Sequence, residues 1–180
     1  MPKLLILFLL NASLIYAQTS TKPGTLTVSK WKKFEAKNYV IQYPDKWDLD
    51  TSKQFGTAFI LFSPLESPKD QFKENVNLLS QSLQGQNIDL DQLSEMTLEQ
   101  LKKMITNPVI IENKRIKEGN KEYQRMIYTG EQGAYHLKWE QYYMIINDNA
   151  YVLTLTCEQT KFAMYQPMGE RILNSFTVNK

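Results

Sequence analysis

Reactive side chains are scarce in this chain of 180 residues, which has one cysteine, Cys157, and one histidine, His136. A lone thiol has no intrachain disulfide partner, and one Cys with one His falls short of the ligand sets that hold zinc. An excess of one charge is missing too. Lys and Arg number 21 against 19 Asp and Glu, a formal +2, so no strong field calls for nucleic acid or an acidic membrane. Glycine and proline stand at 7 each, which excludes collagen-like and low-complexity chains. Phosphate-binding glycine loops, dinucleotide fingerprints, metal-binding helix motifs and nucleophile elbows are all absent. What is present is 42% hydrophobic and 12% aromatic residues, an ordinary supply for one packed domain.

The start of the chain reads as an export signal. Lys3 supplies a positive n-region, and Leu4 to Leu10 are apolar without interruption. Small Ala17 followed by Gln18 suits a cleavage site. The apolar stretch runs about 13 residues, short of the roughly 20 of a spanning helix, so it reads as a cleaved leader and not an anchor. The only Cys lies far from it, which argues against a lipid anchor. Residues 1–17 are thus the signal peptide. Residues 18–30, rich in Thr, Ser, Lys, Pro and Gly, form a flexible tether that cannot bury enough apolar area to order itself. Residues 31–180 make a single domain. The protein is expected in the periplasm or outside the cell, with no stable membrane insertion after cleavage.

From Trp31 the pattern is mostly period two. Tyr39, Ile41 and Tyr43 alternate with Val40 and Gln42 before Pro44 ends the run, as in a short strand. Residues 58–62 are continuously apolar, as in a strand covered on both faces, and 76–82 alternate more weakly. Residues 90–105 form the clearest helix. Asp89 and Gln92 stand at capping-box spacing, and Leu90, Leu93, Thr97, Leu101, Met104 and Ile105 recur at three- and four-residue steps. Asn107-Pro108 stops it. Strands over 109–117 and 121–129 flank the tight-turn pair Gly119-Asn120, and strands over 137–146 and 150–157 flank Asn147-Asp148-Asn149. A last helical segment carries Phe162, Tyr165, Ile172, Leu173 and Phe176. Because proline suits a first turn, the regular helix is placed from near Gln166, just before Pro167. The fold class is α+β, an antiparallel sheet sandwiched by helices.

Several phrases in this order resemble the PsbP-like superfamily. They are Tyr39-Val40-Ile41-Gln42-Tyr43-Pro44 with Trp47, then Phe62-Ser63-Pro64, then Asp70, Phe72, Glu74, Asn75, Val76 and Asn77. Gly119 before Tyr123, the strand from Tyr142 to Ile146, Tyr151-Val152-Leu153-Thr154 and Ile172-Leu173-Asn174-Ser175-Phe176 follow. The superfamily includes the PsbP extrinsic subunit of photosystem II, a Ran-binding nuclear import factor and exported bacterial proteins similar to DcrB and LpqN. The resemblance implies a PsbP-like α/β/α sandwich and, as is usual in the family, a binding or accessory role without catalysis; no cofactor is expected. It assigns Tyr43, Pro44, Trp47, Phe72, Asn75, Ser175 and Phe176 as structural signature residues, and carries over no ligand site.

The remaining candidates for chemistry are few. His136 could pair with Glu131 or Glu140 beside Tyr135 for acid–base work, but no activated nucleophile accompanies it, and an exposed imidazole beginning a strand is commonplace. Cys157 shares an apolar strand face with Tyr151, Leu153 and Leu155, which fits a small hydrophobe. Asp45, Asp48 and Asp50 bracket Trp47 but lack the Gly and terminal Glu of a calcium loop, so they read as a solvated acidic turn. Lys30, Lys32, Lys33 and Lys37 interleave with Trp31 and Phe34, a pattern that suits the fringe of an edge strand. No metal or nucleic-acid partner is expected. Trp139, Tyr142 and Tyr143 are candidate contact residues for a protein partner such as an envelope protein, provided one sheet face is free. Three readings follow: an exported non-catalytic binding or accessory protein, a small hydrolase centred on His136, or a carrier of a small apolar ligand.

Overall fold

The computed structural model describes residues 30–179; the leader, the cleavage pair Ala17 and Gln18 and nearly all of the tether lie outside the described residues. The element order is β1 (Trp31–Glu35), β2 (Tyr39–Pro44), β3 (Asp48–Asp50), β4 (Phe59–Phe62), β5 (Asn75–Ser82), α1 (Leu90–Met104), β6 (Thr106–Glu118), β7 (Lys121–Gln132), β8 (Tyr135–Ile146), β9 (Asn149–Glu158), α2 (Phe162–Asn174) and β10 (Thr177–Val178). Mostly antiparallel sheet with two helices makes the class α+β. Seven strands pair in the order β3-β4-β5-β9-β8-β7-β6, and a smaller sheet runs β1-β2-β10. After β5 the chain crosses to the far edge through α1, then meanders back through β6, β7 and β8 until β9 joins β5.

β9 separates two apolar clusters, because successive side chains on a strand point to opposite faces. Tyr151, Leu153, Leu155 and Cys157 pack with Phe162, Tyr165, Ile172 and Leu173 of α2 and with Tyr39, Ile41 and Tyr43 of the small sheet. Val152 packs on the other side with Leu90, Leu93 and Leu101 of α1 and with Tyr128, Trp139 and Tyr143. Asp89 caps α1 as its spacing predicts. Its carboxylate accepts from Gln92 N at 2.8 Å, and the Gln92 side chain accepts from Asp89 N at 3.0 Å. Asn147 and Asp148 take positive φ in the turn between β8 and β9, as does Gly119 between β6 and β7.

Of the boundaries that differ from expectation, two are informative; the strands expected over 121–129 and 137–146 simply extend to Gln132 and back to Tyr135, and Asp48–Asp50, expected as a turn, pair as a short strand. α2 starts at Phe162, not near Gln166, and keeps Pro167 inside it. Proline there removes one backbone bond, yet the earlier start buries Phe162 and Tyr165 almost completely, and that apolar area wins. β6 starts at Thr106, before the Asn107-Pro108 pair, because Asn107 at φ 50° and a bulge absorb the irregularity.

The signature residues have visible jobs. Tyr43, Pro44 and Trp47 are buried, and Trp47 meets Tyr165 edge-on at 6.4 Å. Phe72 packs on Tyr135 with ring centroids 5.1 Å apart, and Phe176 lies between Tyr39 and Tyr151. Asn75 Nδ2 donates to Lys73 O at 3.3 Å. Ser175 extends the small sheet with its side chain: its Oγ accepts from Gln42 N at 2.9 Å and can donate to Gln42 O or Ile172 O.

Candidate functional site

The three aromatic contact candidates do not reach the surface. Trp139 is 3% exposed, Tyr142 4% and Tyr143 0%. Alternation divides them as expected, but both faces are covered. Trp139 stacks on Tyr128 at 4.9 Å on the α1 side, and Tyr142 stacks on Tyr123 at 4.4 Å on the other. Their large apolar rings are worth more in the core than on display. Trp31 and Phe34 also turn inward. Arg171 lies over the Trp31 ring at 4.0 Å, while Lys32 and Lys33 stay exposed on β1.

His136 lies in the open, its side chain 73% exposed, with Nδ1 3.8 Å from Glu131 Oε1. Glu140 is engaged elsewhere, with Oε1 accepting from Arg125 Nε at 2.7 Å. Cys157 is fully buried, and burial, with Glu74 and Glu140 adding to it, pushes its thiol pKa well up. Asp48 pairs with Lys73 at 3.3 Å, and Asp50 accepts from Ser52 N and Gln54 Nε2, so the Asp45–Asp50 set does not converge.

A different carboxylate set does. Glu66, Asp70 and Glu74, all on the β4–β5 connection, bring carboxylate oxygens within 4.8 Å of one another. The cation among them is Lys161, the residue that leads into α2. Its Nζ is 3.5 Å from Glu66, 3.0 Å from Asp70, 3.9 Å from Glu74 and 2.8 Å from Glu158 at the end of β9. Glu74 is completely buried; its desolvation, only partly offset by Lys161, lifts its pKa to about 7. Asp70 also gains backbone donors from Glu66 and Phe72, and its pKa is lowered despite its burial. A second cluster joins α2 to the sheet: Arg125 donates to Glu140, Glu112 and Glu170. Burial raises the Glu140 pKa, against the pull of Arg125. Lys161 serves four carboxylates and Arg125 three, with Lys114 also on Glu112 at 3.1 Å, so each cluster is a tie between elements.

Among the described residues the most exposed run of large apolar side chains lies on β6, an edge strand of the large sheet. Val109 is 58% exposed, Ile110 37% and Ile111 53%, with Met104 of α1 at 39% nearby in the chain. Register shifts fall between Thr106 and Val109 and between Ile110 and Glu112. Bulges and Pro108 spoil regular pairing with another strand, so this edge offers side chains more than a backbone ladder. Sequence reading missed it because three consecutive apolar residues look like any buried strand. The nearby Pro108 was the one available hint of an edge.

No family model and no curated protein matches the sequence. Solved structures do match the fold. The solution structure of the cyanobacterial PsbP, CyanoP, from Synechocystis sp. PCC 6803 aligns with a TM-score of 0.60 and 12% identity, over 87% of this chain and 96% of that one. PA94 from Pseudomonas aeruginosa, a protein of unknown function, aligns with a TM-score of 0.59 and 13% identity over 83% and 97%. LpqN of Mycobacterium tuberculosis, involved in cell envelope biogenesis, gives 0.56 and 11% over 84% and 91%. Identities this low speak to architecture alone. The chain has the PsbP-like fold.

Proposed function

We propose that this protein is an exported, non-catalytic accessory protein that holds an envelope protein against the bulged start of β6. The fold is taken as three layers, with the large sheet between α1 on one side and α2 with the small sheet on the other. The observation that carries the reading is the exposure of Val109, Ile110 and Ile111 together on a sheet edge. Contiguous exposed apolar side chains of this kind mark interaction surfaces on soluble proteins. The exposed His136, with its nearest carboxylate at 3.8 Å, and the sealed Cys157 favour binding over catalysis. Export rests on the leader-like segment and agrees with the likeness to LpqN. Among the described residues no helix is long and apolar enough to cross a membrane.

The test is capture of envelope proteins by the wild-type protein and by two variants. A partner retained by Lys33→Glu on β1 but lost by the double variant Val109→Lys, Ile111→Lys supports the proposal. Binding that is indifferent to the β6 variant overturns it. So does a hydrolytic activity that vanishes in His136→Ala while folding stays normal. N-terminal analysis of the natural product should find Gln18 within a residue or two; intact Met1 would overturn export.

A further inference from the structure

The connection between β4 and β5 has the build of a latch. It is pinned at two ends of an arch, by Ser63 N donating to Glu74 O at 2.8 Å and by Glu66 N and Phe72 N donating to the Asp70 carboxylate. Its charged attachment to α2 and β9 runs through one ammonium, Lys161, shared with Glu158, while Phe72 on Tyr135 and Lys73 on Asp48 hold its far end. Beneath it, Glu74 has no exposure to water, and its contact with Ser63 Oγ is long at 3.4 Å. A carboxylate with so few donors in so dry a place is held far better as the neutral acid.

We infer that the segment 64–73 is a proton-controlled latch, closed over the start of α2 while Glu74 carries its proton and loosened when Glu74 ionises. The groups facing Glu74 set the direction. Glu66 and Asp70 on its own connection add negative charge, as does Glu158 on β9, and Lys161 is the counter-charge. Cys157 of β9 and Tyr165 of α2 face it as neutral groups, both held protonated by burial. From β8, Lys138 lies over the Phe162 ring at 4.3 Å, and Glu140 is committed to Arg125. Ionised Glu74 would add another carboxylate to a set that already outnumbers its lysine.

The sign follows from linkage. The carboxyl titrates near 7 when closed and in the ordinary Glu range when the latch is open and wet. Closure is therefore fully favoured below the ordinary range and weakens as pH rises toward 7. The opening constant should climb by roughly tenfold or more between about pH 5.5 and 7.5 and level off above that. This is a local opening, drawn from the low-stability end of the fold, and it reshapes the end of the molecule where Tyr135 OH meets Gln71 O.

Amide exchange of Ser63, Glu66 and Phe72, corrected for the intrinsic base-catalysed rate, reads the opening directly. The wild-type protein should show the climb, and Glu74→Gln, which mimics the neutral acid, should be flat across the same window. A flat wild type overturns the latch, and so does a climb that persists in Glu74→Gln. Carbon NMR titration of the wild-type Glu74 carboxyl needs no variant; a midpoint below about 5 also overturns it.

Discussion

Trp47 shows what one side chain contributes here. It is 4% exposed and set edge-on to Tyr165, linking the turn after β2 to α2. Trp47→Ala should cost about 3–5 kcal/mol in urea unfolding, the range for an aromatic deleted from a packed core. A change under about 0.5 kcal/mol would place the ring at the surface and undo this account of the motif. Ser175 makes a smaller contribution of a different kind. Ser175→Ala leaves Gln42 N without its acceptor and should cost about 1 kcal/mol, read the same way. The burial of Trp47 was legible because a strand-ending Tyr-Pro with a nearby Trp has few other uses. The fate of Trp139, Tyr142 and Tyr143 was not. Alternation assigns side chains to faces, but it does not say whether a face is covered; that depends on α1 and α2, which come from elsewhere in the chain.

At the scale of elements, the ends of α1 were readable and those of α2 were not. Capping is local chemistry among residues three apart, so Asp89 and Gln92 announce themselves. Asp89→Ala should lower stability by about 1 kcal/mol, measured by denaturant midpoint at unchanged m-value. In α2 a local rule, proline at the first turn, lost to the non-local burial of Phe162 and Tyr165. The same helix contains Gly169 for a reason sequence does not display. A Cβ there would fall within 3.0 Å of three side-chain atoms of Leu155, itself fully buried in β9. Ala is the better helix former, yet Gly169→Ala should destabilise by about 1–3 kcal/mol through overpacking. A gain in thermal midpoint would show that α2 can lift off β9.

For the molecule as a whole, the charge ties and the free edge matter most. Val109→Lys with Ile111→Lys should leave the unfolding free energy, read by urea denaturation, within about 0.5 kcal/mol of wild type, since these side chains bury little. A large loss would mean that they support the fold and are not free for a partner. The Lys161 cluster was half visible in sequence, because Asp70 and Glu74 both stand in the phrase that carries the family resemblance. Glu158 and Lys161 stand far along the chain, and only the pairing of β5 with β9 brings them alongside.

The bond between Gln42 and Ser175 spans 133 residues, and β10 closes on β2 across a similar distance. That separation is also an interval of time. At roughly 5–20 residues per second of synthesis, about 7–27 s pass between the making of β2 and the arrival of the segment that completes its second side. Through that interval the hairpin of β1 and β2 has one ladder satisfied and one waiting, so it cannot lock. The small sheet is therefore completed only once the segment after α2 has been made.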